Sequence, residues 1–180
     1  MTPPSTLEVI RPTLGRDVFI ADTARVCGKV TIGDECSFWH HVLVRGDVSN
    51  IRIGHRVNIQ DGTVIHTETD VDLDIEDEVA LGHRAIVHCR RIGARTLIGM
   101  GSIVLDRAEI GSGCLIAAGA VVPPRTVVPD NSVVMGVPGK VVRQTSAAER
   151  EYHGEVIRRY LALAKRHAAG LYAAAIGNNH

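Results

Sequence analysis

An aliphatic residue, once replaced by phenylalanine, recurs every six positions: Ile20, Val26, Ile32, Phe38 and Val44 form a first run. The period resumes at Ile53, Ile59 and Ile65, and again at Ile75, Leu81 and Val87. It then continues through Ile92, Ile98, Val104, Ile110, Ile116, Val122, Val128 and Val134. A small or acidic residue often follows, as in Ile32-Gly33, Ile53-Gly54 and Ile92-Gly93, and a small or β-branched residue usually stands two positions before. A period of six is neither the 3.6 of a helix nor the two of a hairpin strand. Six residues make one short strand and a corner, so three hexads close a triangular coil of about eighteen residues. Stacked coils pair their backbones and bury one aliphatic column per side.

The pattern changes at Met135-Gly-Val-Pro-Gly139, a turn cluster. Ser146-Ala-Ala-Glu149 then has capping-box spacing, in which the serine accepts from a free helix amide and the glutamate reaches back. Val156, Tyr160, Leu163 and Ala164 follow at helical spacing, and Gly170 can end that helix. The chain thus divides into an N-terminal segment (1–17), a repeat domain (18–139), a helix (146–170) and a tail (171–180). The repeat resembles the hexapeptide-repeat left-handed parallel β-helix, an all-β fold carrying here a C-terminal α-helix.

Composition sharpens this. Aromatic residues make up only 3% of 180, which suits a narrow, repeated core better than an irregular one that recruits rings. Lys+Arg and Asp+Glu balance at 20 each, and no basic run exists, so no nucleic acid partner is expected. The N-terminus lacks the basic-then-apolar order of a secretory signal, and the charge-free run Ile110–Pro124 is too short to span a bilayer. The expectation is a cytoplasmic protein with no membrane partner. Cys27, Cys36, Cys89 and Cys114 show no CxxC spacing and read as reduced, buried residues.

The register places three of nine histidines. With Ile53 on face A, Ile59 on face B and Ile65 on face C, the longer interval to Ile75 implies a four-residue bulge around Glu68–Leu73. His66 and His88 each follow a face C aliphatic residue, so they stack one coil apart, about 4.8 Å, close enough to share one ion. Arg45 falls in the same column. His83 belongs to face B, and five extended residues span about 16 Å, so it does not join them within one chain. A homotrimer would bring face B of one copy against face C of the next and assemble three histidines at each interface. Three neutral imidazoles suit tetrahedral zinc with one open position, the arrangement of catalytic sites.

Arg45-Gly46-Asp47, Asn58-Ile-Gln60-Asp61-Gly62, Ile65-His66 and Gly82-His83-Arg-Ala-Ile-Val-His88 together resemble the γ-class carbonic anhydrase family, in its shorter bacterial form. The resemblance implies zinc, with iron or cobalt as alternatives, on His66 and His88 of one subunit and His83 of the next. It implies hydration of carbon dioxide to bicarbonate by hydroxide on that metal. Arg45 and Asp47 would pair across subunits, and Gln60 and Asp61 would orient the reacting water or bicarbonate and accept its proton. Well-known active members have a glutamate after Arg-Gly-Asp, where this chain has Val48, and a longer acidic loop than the one holding Glu68, Asp70, Asp72 and Asp74. Two other classes remain open: a hexapeptide-repeat acyltransferase using one interfacial histidine, and a non-catalytic metal-binding trimeric scaffold.

Overall fold

The computed structural model describes residues 9–172, so residues 1–8 and most of the 171–180 tail lie outside the described part. The chain forms a left-handed parallel β-helix of about seven turns followed by one helix. Most strands are two residues long, each paired in parallel with its equivalents in the neighbouring coils. Inward residues stack in three columns: Ile32, Ile53, Ile75, Ile92, Ile110 and Val128 on face A. Face B stacks Phe38, Ile59, Leu81, Ile98, Ile116 and Val134, and face C stacks Val44, Ile65, Val87, Val104 and Val122. Every one of these is at most 3% exposed. A column one side chain wide has room for aliphatics of matched length, and Phe38 is its one ring. Removing a branch from such a site, as in Ile98→Ala, costs about 2–5 kcal/mol.

The corners are turned by residues in the left-handed region. Glu35, Arg56, Glu78 and Arg95 have φ between 53° and 57° at successive A-to-B corners, and Gly113 and Asn131 continue the series. Each donates its backbone N–H to a corner carbonyl one coil below, for example Arg56 to Asp34 at 2.9 Å and Arg95 to Asp77 at 3.0 Å. That regular bond offsets the steric cost of φ > 0 for a side-chain-bearing residue. Gly33 is glycine for a different reason: an added Cβ would meet the Gly54 carbonyl oxygen of the next coil at 2.6 Å.

All departures from the eighteen-residue coil in the stack above Ile32 occur at the C-to-A corner. Three extra residues lie between Val44 and Ile53, four between Ile65 and Ile75, and one fewer between Val87 and Ile92. The four-residue insertion is closed by Val71 N–H donating to the Glu68 carbonyl (3.1 Å) and by Thr67 Oγ1 donating to the Val71 carbonyl (2.5 Å).

Both ends differ from the hexad reading. Thr13–Leu14 already pairs with Thr31–Ile32, within the stretch the period set apart as 1–17. At the other end Ser132–Met135 pairs antiparallel with Lys140–Gln144, which covers the open edge of the last coil. Ser146 caps the helix Ala147–Ala168 through a full capping box: Glu149 N–H donates to Ser146 Oγ (3.2 Å) and Ser146 N–H to Glu149 Oε2 (2.8 Å).

The three outer faces meet different surroundings. The helix lies on face B, where Val156, Ile157, Tyr160 and Leu161 pack on Ala80 and Leu97. Rings scarce elsewhere gather there: Trp39 stands 5.1 Å from Phe19, 5.4 Å from Tyr160 and 4.9 Å from His167. Face A presents Thr31, Arg52, Asp74, Arg91 and Glu109 outward, laced by Arg52 to Asp72 and Asp74 and by Arg91 to Glu76. Face C presents Leu43, Val64, Ile86, Ile103 and Val121, and among the described residues Leu43 and Ile86 stay 37% and 41% exposed. Among the described residues no helix is long and apolar enough to cross a membrane.

Candidate functional site

The column that follows face C outward reads Cys27, Arg45, His66, His88 and Leu105, one residue per coil. It brings His66 and His88 together as the register implies: ring centroids lie 5.2 Å apart, and His66 Nδ1 faces His88 Nε2 at 3.2 Å. The far nitrogen of each ring meets a carboxylate. His66 Nε2 is 3.0 Å from Asp47 Oδ1, and His88 Nδ1 bonds to Asp106 Oδ1. Both side chains are mostly covered, at 20% and 29% exposure.

This arrangement sets the tautomers. If each ring donates its outer N–H to its carboxylate, the two nitrogens facing one another both carry lone pairs. Two lone pairs at that distance repel, and a cation between them removes the conflict. Nitrogens about 2.0–2.1 Å from a tetrahedral ion stand about 3.3 Å apart, close to the observed spacing. A carboxylate behind each ligating imidazole is also how metal-binding histidines are usually oriented. The donor set therefore fits a divalent metal.

Asp47 owes its position to the first insertion at the C-to-A corner. Arg45 Nη1 donates to Asp47 Oδ2 at 2.5 Å, and this guanidinium, with the His66 ring behind it, holds the Asp47 carboxyl below the usual carboxylate range. The resemblance implies that Arg45 and Asp47 pair across subunits; the structure pairs them within one chain. They stand two apart on the extended strand Leu43–Ile53, so both side chains leave the same face.

His83 lies apart, at the B-to-C corner. Its Nδ1 is 3.0 Å from Asp61 Oδ2, one coil below, and its Nε2 is 3.4 Å from the Tyr160 hydroxyl on the helix. Burial, with the Asp61 charge adding to it, pushes the Tyr160 phenol up. Gln60 sits beside Asp61, buried, with its backbone N–H donating to the Leu81 carbonyl. The three histidines do not converge in one chain, and among the described residues no cluster of three or more His, Cys, Asp or Glu forms a ready cage.

The sequence reading missed Asp106, and it named Glu68 and Tyr160 without giving them partners at the site. Asp106 lies eighteen residues after His88, so the coil period alone could have placed it beside that ring. Glu68, from the acidic loop, is bound by both Nε and Nη2 of Arg107, which keeps its carboxyl below the usual range. Tyr160 needed the docking angle of the helix, which no repeat encodes. The cysteines are all free; Cys36, Cys89 and Cys114 are buried, with the first two thiols pushed up to about 12, whereas Cys27 is exposed.

Short parallel strands recurring every six residues around stacked coils define the class of hexapeptide-repeat β-helix proteins. The model of the bacterial transferase hexapeptide repeat matches residues 91–124. A carbonic anhydrase of Geobacillus kaustophilus is 42% identical over 83% of this chain and 82% of its own length. Gamma carbonic anhydrase 2 of Arabidopsis thaliana is 35% identical over 88% of this chain, which spans 59% of that longer protein. A solved Bacillus cereus structure, described under an acetyltransferase name, superposes with a TM-score of 0.85 at 39% identity, covering 88% of this chain and 92% of the other. The chain belongs to the γ-class carbonic anhydrase family, a family of lyases.

Proposed function

We propose that this protein is a homotrimer that catalyses the reversible hydration of carbon dioxide to bicarbonate at metal sites between its subunits. The observation that carries the reading is the pair of ring nitrogens facing each other at 3.2 Å, each ring backed by a carboxylate. His66 and His88 of one copy, with His83 of a neighbouring copy, would hold zinc, or iron or cobalt in its place. A divalent ion held there would lower the pKa of a bound water molecule toward about 7.

The remaining tasks fall to the chain. Asp47 and Asp106 fix the imidazole tautomers, and Arg45 holds Asp47 in place. Asp61, bonded to His83, is set to receive a proton, and Gln60 to orient the reacting oxygen. The apolar column Leu43, Val64 and Ile86 would be covered by the neighbouring copy, excluding water from the ring side of the site. Burying such a column is favourable at about 25 cal/mol per Å². The acidic loop is poorly placed to export protons, because Arg107 engages Glu68 and Arg52 engages Asp72 and Asp74. Protons would leave through water or buffer, so the hydration rate should rise with imidazole buffer concentration at fixed pH.

Metal per subunit, measured by elemental analysis on wild type and His88→Ala purified without added metal, comes first, followed by stopped-flow hydration. About one ion per subunit, lost in the variant, with hydration above buffer alone, is the expected result. A wild type that cannot be loaded removes the hydrase reading. Full occupancy without turnover leaves a metal-binding scaffold.

A second reading is favoured by one feature, the lone His83–Asp61 pair, which has the geometry of a general base held by a carboxylate. Acyl transfer from acetyl-CoA to an amine or hydroxyl, unaffected by chelator and abolished by His83→Ala, would establish it.

A further inference from the structure

On the edge away from the paired histidines, the helix and the A-to-B corners enclose a cavity of about 480 Å³. Two glycines open it. Gly154 lies in the helix interior, where glycine is destabilising, and Gly113 occupies the corner position that carries arginine or glutamate in the coils at Arg56, Glu78 and Arg95. A Cβ at Gly154 would meet only Arg158 Nη1, at 3.3 Å. The space is therefore not needed for packing the helix.

The cavity wall is rich in guanidinium groups. Arg56 is engaged by Glu78 at 3.0 Å, and Arg150 donates to the Thr145 carbonyl at 2.8 Å. The acid Asp130 is also occupied, accepting from Ser112 N–H at 2.7 Å. Arg95 and Arg158, in contrast, make no ion pair among the described residues. His153, 7% exposed, also lines the cavity, but its Nε2 lies behind the wall, buried and without a hydrogen-bond partner. Burial holds this imidazole below the usual histidine range, ahead of smaller effects from Glu78 and Arg95.

We propose that this cavity binds a phosphomonoester, its phosphate held between Arg95 and Arg158. Two unpaired guanidinium groups match a charge of about −1.5 to −2, and their forked donors match its oxygens. The volume lies within the range of small-molecule sites and exceeds what phosphate alone fills. An adjoining hollow of about 100 Å³, lined by Leu97, Leu115 and Tyr152, takes the uncharged body of the ligand.

Calorimetric titration of the full chain with inorganic phosphate and with glycerol phosphate, at constant ionic strength, tests this. Wild type should bind both saturably, glycerol phosphate more tightly. The double variant Arg95→Ala/Arg158→Ala, altered only at exposed side chains, should bind at least about tenfold more weakly. Gly154→Leu should block binding while the melting temperature holds or rises, which separates a filled cavity from a damaged fold. His88→Ala should bind as wild type does. Wild-type affinity in the double variant or in Gly154→Leu, loss of binding in His88→Ala, or no saturable binding to wild type would each overturn the proposal.

Discussion

Faces A and C are made from the same hexads, with the same inward column and the same coil spacing, yet they present opposite surfaces. Face A turns Arg52, Asp74, Arg91 and Glu109 outward and ties them into ion pairs with each other's neighbours. Face C turns out Leu43, Val64, Ile86, Ile103 and Val121, and places its two histidines directly beside that apolar strip. The inward residue of each hexad makes the solenoid; its outward neighbour decides whether that side meets water or another protein surface. Face B supplies the third case, since its outward residues are covered by the chain's own helix. On the proposed function, the apolar column beside the two histidines is where a neighbouring copy would complete the site.

The sharpest way to break this contrast is to move a charge from one face to the other. If the protein is the proposed homotrimer, Ile86→Arg should dissociate it and empty its metal sites, read by sedimentation and elemental analysis. The matched change on face A, Val127→Arg at a position 71% exposed, should leave mass and metal unchanged. Next in size, Asp106→Asn should weaken metal binding about 10–100-fold in competition with a chelator, because it removes the carboxylate that orients His88. A metal affinity equal to wild type would show that the paired rings need no such support.

Mixing copies sharpens the comparison further. If His83 comes from the neighbour, equal amounts of His83→Ala and His88→Ala chains, reassembled at random, should recover about a quarter of the sites. No recovery in verified mixed trimers would place His83 outside the site. On face A, Arg52→Ala should cost about 1 kcal/mol or less despite its two carboxylate partners, since half of its side chain is in water.

The smallest effect is that of pH. Ser49 and Asn50, ahead of Arg52, hold the Asp72 carboxyl far below its usual range, and Arg143 with Ser146 brings Glu149 down to about 2. Groups whose folded pKa is depressed contribute stability that is complete above the ordinary carboxylate value of about 4 and is lost as pH falls through the depressed one. Helix signal and melting temperature should therefore hold at mildly acidic pH and decline below about pH 4 toward pH 2, and Glu149→Gln should lower helix stability already at neutral pH and flatten that decline.

The solenoid was legible because its core tolerates so little: one aliphatic per hexad, repeated, leaves a mark that side-chain variety elsewhere does not blur. His66 and His88 were legible for the same reason, since counting residues along a rigid spiral is counting distance. The insertions were visible as longer intervals, but not which carboxylates they would deliver. Asp47 folding back on Arg45 within its own chain, and Asp106 backing His88, depend on the path of a corner, whereas a period reports only on the straight runs. The cavity at Gly113 and Gly154 was invisible because it arises where the helix docks, and the spacing between helix and coil is set by side chains on both.

Confining every change of coil length to one corner has a consequence for how such a chain can vary. Residues may be added or removed there without disturbing the pairing of the other two sides, much as a spiral stair can have a landing widened while its treads stay in line. The wall and its fittings are then nearly independent: substitutions at that landing should retune chemistry with little cost to the folded stack, and the same architecture can pass from one reaction to another by trading a few corner residues.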